Sequence, residues 1–265
     1  MRRIAALATL LAALPGLAGI SNSQAAPDES AKAPGHSKIP TAGLVAYYAF
    51  NGNATDASGN GFDCIPIGPV LTSDRFHRAD SAYSFNGVDS YIECSNDPRL
   101  GVHVGVDMTV STWVKPVRLS PAPFIVQQII SKYRYFVPEN SDFFVGLNLI
   151  ADETVQPKTI TVTGMGFDAV TGDHPRLDKW SHIAVVFRGT VGDASLYLDG
   201  KLVGAGPLTY NPVPSPENLW IGRAPAGLSP GEENVFAGSI DDVRIYERTL
   251  KPDEIKALAH EGRSH

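Results

Sequence analysis

The fold is decided by the stretch F-A-G-S-I-D-D-V-R-I-Y at residues 236–246. Side chains alternate between the two faces of a strand, so Val243 and Ile245 share one face and Asp241 has the same parity. We therefore predict Asp241 on the core side of this strand and Asp242 on the other side. A carboxylate beside an apolar core is costly unless a hydrogen bond, a counter-charge or a metal ion compensates it. Asp241 is accordingly the first candidate for a functional residue.

A polar turn far upstream is the expected companion of this strand. The sequence N-G-N-A-T-D-A-S-G-N-G, residues 51–61, directly follows an apolar run at residues 43–50. We predict that the first and last strands are neighbours in one sheet, and that they close the domain around a cation.

The composition favours an all-β protein. The chain has 265 residues with 25 glycines and 20 prolines, spread among many short alternating runs, which is typical of a sandwich rich in turns. One helix is predicted, at residues 252–260, because Pro252 suits the first helical position, Asp253 and Glu254 suit the positive end of the helix dipole, and Gly262 is a reasonable stop.

The N-terminal residues have the pattern of a secretory signal peptide. Residues 1–25 combine two arginines, an apolar run and a small-residue end, and Pro15 and Gly16 interrupt the run, which argues against a retained membrane anchor. Residues 26–42 have the composition of a flexible segment, and one domain is predicted at residues 43–262. The expected location is secreted, periplasmic or extracellular, with no membrane span after cleavage. The net charge of −6 makes nucleic acid a poor partner.

The two cysteines, Cys64 and Cys94, would meet an oxidising compartment. We predict one disulfide between them, and the alternative is two unlinked buried thiols. Two tight hairpins are also predicted, at Asn86–Gly87 and at Asp199–Gly200, because these dipeptides supply the positive φ angles that type I′ turns need.

Six segments together resemble a known family. They read, in order, G-L-V-A-Y-Y-A-F-N-G-N-A-T-D-A-S-G-N-G, Y-S-F-N-G-V-D-S-Y-I, M-T-V-S-T-W-V-K-P, W-S-H-I-A-V-V-F, L-Y-L-D-G-K-L-V-G and G-S-I-D-D-V-R-I-Y-E-R-T-L-K-P-D-E-I. This series resembles the LamG-like jelly-roll domains of the concanavalin A-like lectin/glucanase superfamily. The resemblance implies an all-β, two-sheet antiparallel jelly-roll sandwich with a short C-terminal helix.

The resemblance also implies a structural calcium ion near the first turn and the last strand. The carboxylate ligands would be Asp56 and Asp241, with backbone carbonyls from the neighbourhood of Asn53 and Asn60, since calcium accepts oxygen ligands in loose geometry. The alternative is that Asp56 makes an Asx turn and Asp241 binds backbone amides.

The sequence favours a binding module over an enzyme. It lacks the closely spaced acidic run of the superfamily's glucanases and the strand motifs of related polysaccharide lyases. The alternative is a glycan-processing enzyme of the same fold, for which the best candidates are Asp168, Asp173 and His174, with Asp178 nearby. His182 is predicted to be a hydrogen-bonded structural residue.

A carbohydrate site combines aromatic rings with polar groups on loops held by a rigid sheet. The predicted ligand-binding residues are Tyr133, Arg134, Tyr135, Asn140, Trp220 and Arg223. A glycan, or a protein on a cell surface or outside the cell, is the expected partner, and the sequence does not separate the two.

Overall fold

The architecture is taken from a computed structural model. It describes residues 38–102, 105–117, 126–132, 143–148, 159–163, 170–173, 175–207, 215–224 and 235–262. One compact unit runs from His36 to His265. It includes Ile39 and Pro40, upstream of the predicted start at Gly43: Ile39 packs against an apolar cluster, and the Pro40 carbonyl accepts the Tyr246 hydroxyl at 3.0 Å.

The strands form two antiparallel sheets. The first sheet contains β1 (Leu44–Tyr48), β3 (Val70–Thr72), β4 (Ala82–Asn86), β6 (Asp107–Pro116), β11 (Ser181–Arg188), β12 (Asp193–Leu198), β13 (Lys201–Pro207) and β15 (Ala237–Tyr246). Their order across the sheet is β13-β12-β11-β6-β15-β4-β3, and β1 also pairs with β15. The second sheet contains β2 (Cys64–Ile67), β5 (Tyr91–Cys94), β7 (Val126–Lys132), β8 (Phe143–Asn148), β9 (Thr159–Thr163), β10 (Val170–Asp173) and β14 (Trp220–Ile221). Their order across the sheet is β10-β9-β8-β7-β14-β5-β2. This arrangement confirms the predicted two-sheet sandwich.

Strand β15 is the centre of the first sheet. One edge pairs with β6 along most of its length, while the other edge pairs first with β4 and then with β1. The first and last strands are therefore neighbours, as predicted. The apolar core lies between the sheets and includes Ile240, Val243 and Ile245 from β15 and Ile92 and Ile221 from the second sheet.

A bulge in β15 changes the side-chain parity. The register against β6 shifts between Asp241 and Arg244, and Asp242 has a φ of +50°. Ile240 and Val243 both point into the core, so the residues between them do not follow simple alternation. The prediction that Asp241 lies on the core side is therefore wrong, because the bulge places it on the outer face of the sheet.

One helix, α1 (Pro252–Ala259), packs on the outer face of the first sheet. Ile255 and Leu258 join a second apolar cluster with Ala184, Val186 and Tyr246. The helix begins without a Ser or Thr cap, and instead the Glu254 carboxylate accepts the Lys251 N–H at 2.8 Å.

The two predicted hairpins have different outcomes. Asp199 and Gly200 have φ values of +49° and +77° and join β12 to β13, which confirms that turn. The prediction of a hairpin at Asn86–Gly87 is wrong, because β4 and β5 belong to different sheets. Asn86 Oδ1 accepts the N–H groups of residues 88, 89 and 90, so it holds a corner between the sheets.

The cysteines are joined as predicted. Cys64 and Cys94 lie opposite each other on β2 and β5, with their Cα atoms 4.1 Å apart, and form a disulfide. This bond fixes the edge strand β2 to β5. No helix in the described part of the chain is long and apolar enough to cross a membrane.

Candidate functional site

An aromatic pair lies on the outer face of the second sheet. Ile92 and Ile221 point into the core, so their neighbours Tyr91 and Trp220 point outward. The two ring centroids are 5.3 Å apart at an angle of 56°, and both side chains are half-buried. Trp220 was predicted as a ligand-binding residue, and the structure gives it an aromatic neighbour.

A sharp turn brings Arg223 onto these rings. Gly222 has a φ of +87°, and a Cβ there would come within 2.5 Å of the Phe85 ring, so only glycine fits. The Arg223 guanidinium carbon then lies 4.3 Å from the Tyr91 ring centroid and 5.2 Å from that of Trp220. The Arg223 backbone carbonyl is fixed by the Ser131 hydroxyl at 2.8 Å. We refer to Tyr91, Trp220 and Arg223 as the aromatic–arginine platform.

Polar and apolar groups surround the platform. Glu93 lies directly opposite Trp220 in the β5–β14 ladder, and its carboxylate accepts the Asn218 amide at 2.5 Å. On the next strand, Ile65 lies opposite Glu93 and is 67% exposed. The indole Nε1 of Trp220 is buried and has no hydrogen-bond partner among the described residues. The face therefore offers ring surface, an apolar edge, hydrogen-bonding groups and one cation.

A buried lysine holds the segment that leads into Trp220. Lys132 is fully buried, and its ammonium donates to Asn96 Oδ1 at 2.6 Å and to the backbone carbonyls of Ser215 at 3.1 Å and Glu217 at 2.6 Å. Since residues 215–219 immediately precede β14, these bonds fix the approach of the chain to the platform.

The other predicted binding residues cannot be placed on this face. Tyr133, Arg134, Tyr135 and Asn140 lie outside the described residues. The platform therefore contains two of the predicted residues, Trp220 and Arg223, together with Tyr91, which sequence reasoning missed.

The turn predicted to hold calcium is built on Asp56. Its Oδ1 accepts the Tyr47 and Ser58 N–H groups, each at 2.9 Å, and its Oδ2 accepts the Phe62 N–H at 3.1 Å and the Ser58 hydroxyl at 2.8 Å. Burial alone would raise the pKa of Asp56, but these donors outweigh it and its pKa lies below the usual value. The N–H of Ser58 two residues on makes this an Asx turn.

The two predicted asparagines shape the same turn. Asn53 Oδ1 accepts the Thr55 N–H at 2.9 Å, and the Asn60 amide donates to the Val45 carbonyl at 2.8 Å. Both side chains thus bind the protein's own backbone.

Asp241 has a different surrounding. Its Oδ2 lies 2.8 Å from Arg75 Nη1, and Asp242 Oδ2 lies 2.6 Å from the same nitrogen. Arg75 projects from the loop after β3, and its guanidinium also lies over the Trp113 ring at 4.6 Å. All three charged side chains are at most 7% exposed.

Two further charges extend this buried network. Arg244 Nη2 lies 3.0 Å from the Glu261 carboxylate and 3.3 Å from Asp242 Oδ1, and Tyr47 donates its hydroxyl to Asp242. Burial and the neighbouring Asp242 raise the pKa of Asp241 to about 8, against the opposing effect of Arg75. The network joins β1, β15, the loop after β3 and the end of α1.

A calcium ion shared by Asp56 and Asp241 does not fit these contacts. Asp56 is saturated by N–H and O–H donors, Asp241 faces an arginine, and the two carboxylates share no partner. Within the described residues, no group of three or more His, Cys, Asp or Glu side chains is placed to hold a metal. These contacts argue against the predicted ligand pair, and calcium binding by the domain stays a prediction.

The candidate catalytic residues are not assembled in the described structure. Asp173 and Asp178 are exposed, and Asp168 and His174 lie outside the described residues. His182 is fully buried with its Nε2 2.8 Å from the Ser111 hydroxyl, and burial lowers its pKa to about 3. It is therefore a neutral, hydrogen-bonded residue, as predicted.

One open cavity lies at the end of the sandwich near the start of β6. Its volume is about 220 Å³, and it is lined by Pro98, Arg99, Gly101, Val106, Met108 and Glu247. This volume is below the roughly 300 Å³ at which small-molecule sites begin, and none of the predicted site residues lines it.

Two antiparallel sheets packed face to face around an apolar core define a jelly-roll sandwich domain. A laminin G family model described as the concanavalin A-like lectin/glucanases superfamily matches residues 86–256, more than half of the chain. The chain belongs to this family.

A curated relative matches a shorter region. The Sushi, von Willebrand factor type A, EGF and pentraxin domain-containing protein 1 of Rattus norvegicus is 31% identical over 86 residues, which is 30% of this chain. The matched region is 2% of that protein, and the Mus musculus protein of the same name matches to the same extent.

Solved structures share the fold at low sequence identity. Domain 4 of AbnA, an extracellular GH43 arabinanase from Geobacillus stearothermophilus in complex with arabinotriose, has a TM-score of 0.58 and 20% identity, and the match covers 82% of this chain and 98% of that one. The binding domain of botulinum neurotoxin serotype D has a TM-score of 0.61 and 15% identity, covering 84% and 52%. A mutant Trypanosoma rangeli sialidase displaying trans-sialidase activity has a TM-score of 0.58 and 18% identity, covering 83% and 33%.

Proposed function

We propose that this domain is a secreted, non-catalytic binding module that recognises carbohydrate through the aromatic–arginine platform. The observation that carries the proposal is the placement of Tyr91, Trp220 and Arg223 together on an outward sheet face. Pyranose rings present C–H surfaces that stack on aromatic rings, while their hydroxyls bond to amides and carboxylates. Glu93 and Asn218 supply such groups beside the rings.

The rigidity of the platform supports this assignment. Trp220 and Tyr91 lie on paired strands, the disulfide anchors the neighbouring edge, and Lys132 fixes the segment before β14. Groups held before the ligand arrives lose little conformational entropy on binding, which favours affinity.

Three other observations support the wider proposal. The leader-like residues 1–25 and the disulfide are both typical of an exported protein. The likeness to a domain solved with arabinotriose supports a glycan ligand, although at 20% identity that likeness establishes only the fold.

Calcium is left out of the recognition step. Asp56 and Asp241 already have partners of their own, so the platform is proposed to work without a metal, and the calcium implied by the family resemblance is tested separately.

The experiment is a glycan array combined with a polysaccharide degradation screen, using one purified sample. We expect retention of glycans without release of products, and loss of retention in Trp220→Ala. Trp180→Ala is the matched control, because Trp180 is also half-buried but precedes β11 of the other sheet. Release of products would instead support the glycan-processing enzyme, and equal binding by Trp220→Ala and the control would contradict the platform.

A further inference from the structure

Arg223 differs from most other arginines of the described residues in its charge partners. Six arginines of the described chain have a carboxylate within 4.0 Å: Arg75, Arg78, Arg99, Arg188, Arg244 and Arg248. Arg223 has none among the described residues, and its one side-chain hydrogen bond runs from Nε to the Ala224 carbonyl at 2.7 Å. The two terminal nitrogens are left without an acceptor in the described part of the protein.

The Arg223 guanidinium is nevertheless held in place by its described neighbours. The Tyr91 and Trp220 rings lie on it, the Nε bond fixes its plane, and the turn at Gly222 fixes its backbone. A guanidinium held flat by rings and half-buried presents a fork of N–H donors that matches the two oxygens of a carboxylate. In a chain of net charge −6, a cation on this face with no carboxylate partner in the described part of the protein is poorly explained by general surface charge.

We propose that the ligand is an acidic sugar, and that its carboxylate binds the terminal nitrogens of Arg223 while its ring stacks on the platform. This inference rests on the proposed carbohydrate-binding function and adds the chemical class of the ligand. Glu93 lies opposite Trp220 and keeps its own carboxylate beside the same face. The Glu93 carboxylate accepts hydrogen bonds from sugar hydroxyls and repels an anion. The carboxylate of the ligand therefore lies beside Arg223, away from Glu93.

The test compares acidic probes with their neutral counterparts. Tetragalacturonate and 3′-sialyllactose are each measured beside their carboxyl-reduced forms, and dextran sulfate represents a sulfated glycan without carboxylates. We expect at least one acidic probe to bind about 10-fold more tightly than its reduced form, with the advantage falling at high salt. Arg223→Gln should remove that advantage, so that the acidic probe and its reduced form bind equally, and Arg223→Lys should keep only part of it because the fork is lost.

Arg176→Gln is the matched control, since Arg176 also lacks a carboxylate partner among the described residues but lies before β11. Unchanged melting temperatures of the Arg223 variants show that folding is intact. Equal binding of acidic and reduced probes that still depends on Trp220 would overturn the acidic-sugar inference and leave the proposed function standing. Preference for dextran sulfate over every carboxylate probe would overturn it as well. Absence of binding to any glycan on the array would overturn the proposed function itself.

Discussion

Replacing Arg75 with glutamine tests whether the buried charge network holds the domain together. Arg75 Nη1 lies 2.8 Å from Asp241 and 2.6 Å from Asp242, and the Arg75 side chain is 6% exposed. Glutamine keeps polarity but removes the charge, so Asp242 loses the nearer of its two arginines and Asp241 loses the cation that favours its ionised form. Removing one partner of a buried ion pair costs about 3–5 kcal/mol, a large part of the roughly 5–15 kcal/mol that stabilises a typical domain.

The pH dependence gives a second measure of the same contact. The pKa of Asp241 is raised in the folded state, from an ordinary 3.8 to about 8, so the folded protein binds this proton more tightly than the unfolded chain. The stability that Asp241 contributes is therefore complete below about pH 4 and is lost as the pH rises to about 8. Loss of Arg75 raises the pKa of Asp241 further. The free energy of unfolding lost in Arg75→Gln, relative to the unmodified protein, should therefore be larger at pH 9 than at pH 6.

The assay is urea unfolding followed by tryptophan fluorescence, at both pH values. Arg99→Gln is the matched control, because Arg99 also pairs with an aspartate, Asp97, but the two side chains are 53% and 27% exposed. Exposed ion pairs contribute about 0–1 kcal/mol, so the control variant should lose little free energy of unfolding. A difference of less than about 1 kcal/mol between the two variants, or a deficit that shrinks towards pH 9, would refute the reasoning.

Three further predictions concern the scaffold. Lys132→Met removes the donor to the oxygens of Asn96, Ser215 and Glu217 and should lower the free energy of unfolding by about 1–3 kcal/mol in urea, compared with exposed Lys201→Met as control. An equal effect in both variants would contradict the role of the ammonium. Replacing Cys64 and Cys94 together with serine should cost about 3–4 kcal/mol, read as a lower melting temperature that reducing agent no longer changes; a reducible shift in the double variant would contradict the pairing. Since Asp56 and Asp241 already have partners, we expect chelator to leave the melting temperature unchanged, and a chelator-induced fall that added calcium reverses would instead establish the calcium site.

The sequence predicted most of the elements because their signals are local. Alternation located the strands, and Asp199–Gly200 defined its hairpin through the φ values that the turn requires. The same reasoning failed at Asn86, because a short polar corner between two sheets uses the same residues as a hairpin. It also failed at Asp241, since a bulge of one residue reverses parity and leaves no mark in the pattern.

The site depended more on contacts between distant residues. Trp220 and Arg223 were predicted from residue type, but Tyr91 was missed although its parity in Y-I-E-C opposes that of the buried Ile92 and Cys94. Arg75 gave no such signal. It lies in an irregular loop and meets Asp241 across 166 positions of the chain, a pairing that neither periodicity nor motif spacing could indicate.

The position of β15 has a consequence for how the first sheet folds. This strand lies between β6 on one side and β4 and β1 on the other, and all three of these strands precede it in the chain. Until residues 237–246 pair with them, the three earlier strands have open edges, so the centre of the first sheet closes only when β15 is in place. Deleting residues 237–246 should therefore yield an aggregating chain instead of a smaller domain.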